Sequence, residues 1–342
     1  MTDATSNFWP GKNVFITGAF GFVGSWLAKH MIDRGANVFV FDFKNPSVSN
    51  FHYLGLDGRA KKIIQGSITD IDVVKKVLSN NEIDTCFHLA AQPIVGSGIE
   101  SPIPTFDTNV RGTWNVLEAC RTSEHVERVV VASSDKAYGK HKQLPYREDF
   151  ALLPADPYST SKACADILSQ TFGKIYGMPV AITRCANIYG GGDFHFSRIF
   201  PSAAKAAVFG ENPKLTSSGT AIRDLLHITD AVYAYENLAL ALGDAKVRGE
   251  AFNFAGETPI SMIELVKKII SISGKSLQPE ILGTRDERKE IDEQYLSCEK
   301  ARKTLNWKPV MSLDEGIKNA LEWYGNFFKS EFSKKISTDL SS

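Results

Sequence analysis

Three glycines at a spacing of three, Gly18, Gly21 and Gly24, sit in VFITGAFGFVGSWL between an apolar run and an amphipathic stretch. No other feature of the chain limits its fold as strongly. Glycine permits a tight turn there, lets backbone approach a bound phosphate, and lets a helix pack close on a strand. The following helix then offers unpaired N–H groups to an anion. Glycines alone mark many turns, and this spacing is GxxGxxG rather than GxGxxG. The order strand, turn, helix is what makes the motif a dinucleotide loop. The next strand ends in Asp42. A carboxylate there accepts the ribose hydroxyls of NAD and repels a 2′-phosphate, although Lys44 would partly offset that repulsion.

Apolar strand-like runs at 12–17, 37–42, 61–65, 85–90, 126–132 and 180–184 alternate with helical patterns at 23–34, 71–78, 104–122 and 156–176. This alternation predicts an α/β fold, a doubly wound parallel sheet of Rossmann type. After Tyr189 the rhythm breaks. GGGDFHFSRI reads as a loop, and the stretch beyond Glu257 as helix, strand and helix to about 328. The expected division is a cofactor domain of 1–189 plus about 222–254, and a smaller α/β C-terminal substrate domain of about 190–221 plus 255–330. The polar end, 331–342, is expected to be a disordered tail.

The bulk composition narrows the function classes. Lys plus Arg equals Asp plus Glu, and 43% of the residues are hydrophobic. Nothing in these totals suggests a nucleic-acid or membrane partner, and no apolar run reaches membrane-span length. The first residues lack the apolar core of a signal peptide. Cys86, Cys120, Cys164, Cys185 and Cys298 form no CxxC pair and read as buried thiols in a reducing cytoplasm. The histidines lack metal-ligand spacing, so no metal site is expected.

Two stretches carry chemistry. SSDKAYG (133–139) follows an apolar strand and delivers Ser134, Asp135 and Lys136 where a parallel sheet opens into its ligand crevice. DPYSTSK (156–162) opens a helix, with Asp156 as N-cap and Pro157 as first helical residue. Tyr158 and Lys162 then share one helix face, and the ammonium is expected to lower the tyrosine pKa toward neutrality. The plain alternatives are a surface Tyr-Lys pair and an exposed Asp135–Lys136 ion pair of modest value.

Together, TGAFGFVG, HLAAQ (88–92), SSDKAYG, YSTSK and CANIYGGGD (185–193) resemble the extended short-chain dehydrogenase/reductase family over about residues 10 to 328. The resemblance implies a C-terminal domain that closes over a nucleotide-diphospho-sugar, and Ser134, Tyr158 and Lys162 as the hydride-transfer set. It implies that Gly18, Phe20, Gly21, Phe22, Val23, Gly24, Asp42, Ser67, Ile68, Leu89, Ala90, Ala91, Asn109, Tyr158 and Lys162 hold NAD. Ser67 stands where relatives often have an Asp near the adenine. Ser-Asp-Lys resembles the sugar-nucleotide 4,6-dehydratases, in particular those acting on CDP-glucose. The dTDP-glucose enzymes more often have Asp-Glu, and dehydratases of UDP-N-acetylglucosamine also carry Asp-Lys. On this likeness Tyr158 takes the 4-hydroxyl proton, Lys136 the proton on carbon 5, and Asp135 protonates the departing 6-hydroxyl.

On the substrate side the resemblance implies Gln92, Ser134, Asn187, Arg198, Arg223 and Glu293. Asn187 and Arg223 correspond to diphosphate contacts, and a planar guanidinium suits a phosphate. The plain alternative for Arg223 is an ion pair with Asp224. Gln92 and Asn109 are expected to orient rather than react. Phe194 and Phe196 are candidates to flank the base or sugar. A homodimer through the helices beginning near 104 and 156 is also implied. Two other functions fit the fold: a 4-epimerase, against which Asp135-Lys136 speaks, and a catalytically silent NAD-binding protein.

Overall fold

The computed structural model describes residues 7–284 and 291–334. Seven parallel strands form one sheet: β1 (Asn13–Thr17), β2 (Asn37–Asp42), β3 (Lys62–Gln65), β4 (Thr85–His88), β5 (Arg128–Ala132), β6 (Val180–Cys185) and β7 (Ala251–Phe254). Their order is β7-β6-β5-β4-β1-β2-β3. β1 pairs with both β2 and β4, so Thr17 lies opposite Phe41 on one side and His88 on the other. The chain winds outward in both directions from that point. A crevice therefore opens at the carboxyl ends of β1 and β4, where such sheets bind ligands.

Both faces of the sheet are covered. Val14 and Ile16 turn to one face, with Leu27, Met31 and Leu238, while Phe15 turns to the other, with Val74, Leu78 and Val116. That is the period-two alternation of a strand buried on both sides. The first face is covered by helices Phe22–Asp33 and Ile228–Ala241, the second by Ile71–Asn80 and Gly112–Arg121. Ile228–Ala241 escapes a periodicity reading because its sequence, ITDAVYAYENLALA, is nearly apolar all round and most of it is buried.

Three expectations need correction. The helix expected over 104–122 runs unbroken from Pro102 to Arg121 but is not regular: a π-helical turn, Asp107–Arg111, joins Pro102–Phe106 to Gly112–Arg121. The extra residue of the π turn accompanies a side chain, Asn109, that bonds inward rather than following the helical stripe. β4 ends at His88, not at 90, because the Ala90 N–H goes to the Thr17 hydroxyl and not to a neighbouring strand. Phe194 and Phe196 do not line the crevice. Phe194 packs on Trp323 and Phe327, and Phe196 on Tyr324 and Phe328. They cover the apolar face of the last long helix, Leu313–Lys329.

That helix packs with Ile199–Phe209 and Met262–Ser273 around Phe200, Leu265, Ile269, Ile317 and Tyr324. The glycine run 190–192 is wedged at the junction. A Cβ on Gly191 would lie 2.2 Å from the Trp323 ring, and the Gly191 carbonyl accepts the Trp26 indole N–H at 2.8 Å. Of the expected tail, 331–334 form a helical turn, and the rest lies outside the described residues.

A buried ion pair fixes the crevice floor. Arg184 on β6 grips Asp166 of helix Pro157–Tyr176 with two bonds of 2.8 Å, and its third donor reaches the Tyr138 hydroxyl, also at 2.8 Å. Tyr138 in turn donates to Asn253 on β7. Removing one partner leaves a buried charge unpaired, so Asp166→Ala should lose about 3–5 kcal/mol. A lowered urea midpoint with unchanged slope would report that loss.

Candidate active site

The glycine turn excludes a side chain at two of its positions, Gly18 and Gly24. Gly18 adopts φ +74°, and a Cβ on it would sit 2.7 Å from the Ala90 nitrogen. A Cβ on Gly24 would lie 2.1 Å from the Gly18 carbonyl oxygen. Gly21 caps the helix Phe22–Asp33 with no side-chain bond, which leaves the helical N–H groups facing the crevice. Phe22 and Val23 form its first turn. Phe20 is buried against Phe51, so what it offers is backbone: its N–H reaches Asp42 at 3.1 Å. Asp42 also accepts from Phe43 N–H, and burial raises its pKa. The carboxylate thus ends β2 beside the turn, with acceptor capacity left. Ser67 bonds to Thr69, while Ile68 is buried against Gly112. Leu89, Ala90 and Ala91 are half-buried along the crevice wall.

Behind that wall runs a continuous buried hydrogen-bond chain. The Thr17 hydroxyl accepts from the Leu89 and Ala90 N–H groups, so its own proton goes to His88 Nδ1 at 2.8 Å. Thr113 donates to the Asn109 carbonyl at 2.6 Å and therefore accepts from His88 Nε2–H at 3.0 Å. Burial, with the charge of Lys162, pushes His88 down to about 3, so the ring is neutral. The Asn109 side chain holds both backbone groups of Gln92 and donates to Ser161 at 2.8 Å; Ser161 donates to the Tyr158 carbonyl. Gln92 closes a turn onto Ile94. Thr17, His88, Thr113 and Ser161 were not singled out from sequence, where buried polar residues look like any others.

The catalytic candidates converge. β5 ends at Ala132, and Asp135–Tyr138 is a single 3-10 turn capped by Ser134, whose Oγ accepts from Lys136 N–H at 3.2 Å. Ser134 donates to Asp135 Oδ1 at 3.1 Å. Asp135 is 2% exposed, and its Oδ2 has no partner. Lys136 Nζ turns instead to Asn187 Oδ1 at 3.3 Å. The exposed Asp135–Lys136 pair is therefore not what forms.

The electrostatics correct one expectation. Tyr158 is pushed up to about 12, chiefly by burial, with Asp135 adding to the rise. Arg198, not Lys162, is the cation that pulls it down. Lys162 is buried, lowered to about 8, and donates to the Ala132 carbonyl at 2.7 Å. Desolvation outweighs the helical pairing that the spacing suggests.

On the substrate side, Arg198 starts the helix Ile199–Phe209 and is paired with Asp193 at 3.0 Å. Arg223 donates to the Ile222 carbonyl, on a short strand beside Glu293–Gln294. Glu293 is exposed on that strand. Asp224 turns inward, accepting from Leu225 and Thr258 N–H.

The family described as GDP-mannose 4,6 dehydratase matches residues 15–320. The chain belongs to this family of extended short-chain dehydrogenases/reductases. It is 30% identical to CDP-glucose 4,6-dehydratase of Salmonella typhimurium over 340 residues, 95% of this chain and 94% of that one. It is 30% identical to dTDP-glucose 4,6-dehydratase of Xanthomonas campestris pv. campestris, covering 90% and 92%. The dTDP-glucose 4,6-dehydratase structure from Bacillus anthracis, in complex with NAD, superposes with TM-score 0.82 at 26% identity, covering 93% and 98%. UDP-glucose 4-epimerase from Thermotoga maritima superposes with TM-score 0.83, also at 26% identity, covering 92% and 99%. The fold is thus common to dehydratases and epimerases, and side chains must separate them.

Burial raises the fully buried Asp224 to about 6, with Asp135 adding to the rise. A raised carboxyl pKa gives stability that is complete below about 4 and lost as pH rises through about 6. Asp224→Asn should therefore match the parent near pH 4 and exceed it above pH 6, by up to about 3 kcal/mol. Paired urea titrations at the two pH values check the sign.

Proposed function

We propose that this chain is an NAD-dependent sugar-nucleotide 4,6-dehydratase, a hydro-lyase that converts an NDP-hexose to the NDP-4-keto-6-deoxy sugar, with CDP-glucose favoured. The observation that carries this reading is the burial of Asp135 beside Ser134 and Tyr158, with one carboxylate oxygen left without a donor. A carboxyl group so placed can hand a proton to a departing hydroxyl; an epimerase has no such step to serve.

The cradle at Gly18, Gly21 and Gly24 fits a pyrophosphate, and Asp42 fits a ribose diol. NAD held there would supply the hydride acceptor for carbon 4 of the sugar and the hydride donor for carbon 6. Tyr158 takes the 4-hydroxyl proton. Its phenol lies near 12, so it depends on cationic neighbours, of which Arg198 is in place. Lys162, near 8, keeps its charge at neutral pH. The 4-ketone acidifies the hydrogen on carbon 5. Lys136 is assigned to remove that proton, and Asp135 to protonate the leaving 6-hydroxyl. Arg223, with Arg198, Asn187 and Gln92, is assigned to the diphosphate and sugar, and Glu293 to the nucleoside side. The cofactor domain is 1–189 plus about 222–254, the remainder to 330 closing over the nucleotide sugar.

The favoured base rests on the likeness of Ser-Asp-Lys to the CDP-glucose enzymes and on the Salmonella relative. The second reading is a 4-epimerase, supported by the equal superposition on UDP-glucose 4-epimerase. A homodimer through helices Gly112–Arg121 and Pro157–Tyr176 is supported by exposed Trp114, Ile167, Ile175 and Tyr176. A cytoplasmic location accords with the five unpaired cysteines.

Mass spectra of CDP-glucose, dTDP-glucose, UDP-glucose, GDP-mannose and UDP-N-acetylglucosamine, each incubated with protein and NAD, test the reading. One of them should lose a water; an unchanged mass with an inverted sugar would establish the epimerase. In Asp135→Asn, water loss should fall by at least about 100-fold, and removal of the carbon 4 hydride by less. Equal loss of both steps would contradict the role given to Asp135.

A further inference from the structure

The lysine assigned to the carbon 5 proton is anchored at its backbone and again at its tip. The Lys136 N–H donates to Ser134 Oγ at 3.2 Å, and the Lys136 carbonyl accepts the Gly139 N–H at 3.1 Å. Between that turn and Nζ runs a long, flexible stem. Among the described residues Nζ makes no ion pair; its hydrogen-bond partner is Asn187 Oδ1, at 3.3 Å.

Asn187 is itself firmly placed. It opens the strand Asn187–Tyr189, which pairs with Leu225–His227, so that Asn187 lies opposite Leu225 on the run that continues from Arg223. Just before it, the Ala186 N–H donates to the Phe254 carbonyl at 2.9 Å. The lysine also fixes which way the amide faces. An ammonium only donates, so the amide oxygen faces Nζ and the Nδ2–H groups turn away from it. Nδ2 has no hydrogen-bond partner among the described residues, and Asn187 is half-buried, so those donors are left for an anion. The choice of an amide matters to a base. A carboxylate in the same place would pair with the ammonium and favour its charged form, whereas a neutral amide orients the nitrogen without doing so.

Resting on the dehydratase reading, we propose that Asn187 is the positioning residue of the Lys136 base: its amide oxygen holds Nζ in place for carbon 5, while its Nδ2–H groups are left for the diphosphate of the same substrate. One planar amide then spans base and phosphate, so seating the nucleotide sets the lysine against the sugar ring. A phosphate on the N–H side polarises the amide and makes its oxygen the better acceptor. In the step it serves, the C5–H bond breaks and an N–H bond forms on Lys136. The electron pair left on carbon 5 passes into a carbon–carbon double bond as the C6–O bond breaks, and the hydroxide leaves as water with the proton of Asp135. When the hydride reaches carbon 6, Lys136 returns its proton to carbon 5 and ends as it began. The other titratable and charged groups around the lysine are Asp135 on its own turn and Tyr158 and Lys162 on the helix Pro157–Tyr176 packed against that turn. Tyr146 donates to the Gly139 carbonyl at the end of the turn, and Arg223 and Asp224 lie on the run leading into Leu225.

The test uses the NAD-loaded full chain, saturating amounts of whichever sugar nucleotide the parent dehydrates, and the same substrate deuterated on carbon 5. In Asn187→Ala, kcat for water loss should fall by about 30- to 100-fold while transient NADH still forms within about threefold of the parent rate, because the lysine is misplaced and the hydride step is not. The isotope effect of the carbon 5 deuterium on kcat should rise above the parent's. Asn187→Asp, of the same shape, should move the limb of the kcat profile that rises with pH upward by about 1–3 units. A raised KM with kcat, isotope effect and pH limb all unmoved would make Asn187 a diphosphate contact alone and overturn the proposal, as would equal losses of NADH formation and water loss. If the alanine variant does not fold, the aspartate variant decides by its pH limb: a shift supports the proposal and an unmoved limb overturns it. Failure of the parent to release water from any sugar nucleotide would overturn the dehydratase reading instead, so the two failures are distinct.

Discussion

The structure depends on one buried hydrogen-bond chain, Thr17–His88–Thr113–Asn109–Ser161, that crosses behind the crevice and ends on the Tyr158 carbonyl. It starts where β1 ends under the glycine turn and finishes on the first turn of the helix that carries Tyr158 and Lys162. Every member is buried or half-buried, so each unmade bond would cost about 1–3 kcal/mol. That cost leaves little freedom in how far the cofactor cradle stands from the catalytic helix. His88 must stay neutral for the chain to hold one donor order, and burial beside Lys162 keeps it so.

The opposite wall of the site is held by charge rather than by neutral donors. Arg184, gripping Asp166 and Tyr138, pins the 3-10 turn that presents Asp135 and Lys136. The turn itself solves a geometric difficulty. Adjacent residues of a strand face opposite sides, yet Asp135 and Lys136 serve one crevice. β5 has already ended at Ala132, and the short turn points one side chain into the buried floor and the other toward Asn187.

Much of this was legible in the sequence, for physical reasons. The glycine turn has no substitute, because a Cβ at Gly18 or Gly24 would overlap backbone. Strands buried on both faces read as apolar runs, so β1, β2 and β5 fall within a residue or two of expectation. Asp156 and Pro157 announce the start of the catalytic helix, and Asp156 caps it as expected. What sequence does not carry is desolvation and long-range partnership. The Tyr158–Lys162 spacing promises a lowered phenol, yet burial raises it and the compensating cation, Arg198, comes from a loop far along the chain. Asn187 also accepts from Lys136 Nζ, a partnership across 51 positions that the sequence does not announce. Phe194 and Phe196 looked like ligand walls because they flank a glycine loop, and they cover a helix instead.

The central claim is that a hydride moves within one sugar, from carbon 4 to carbon 6, as water leaves. Following a deuterium placed on carbon 4 of the accepted sugar nucleotide tests this most directly. The account requires the deuterium in the new methyl group of a product one water lighter. Deuterium that remains on carbon 4, at unchanged mass and inverted configuration, would contradict it.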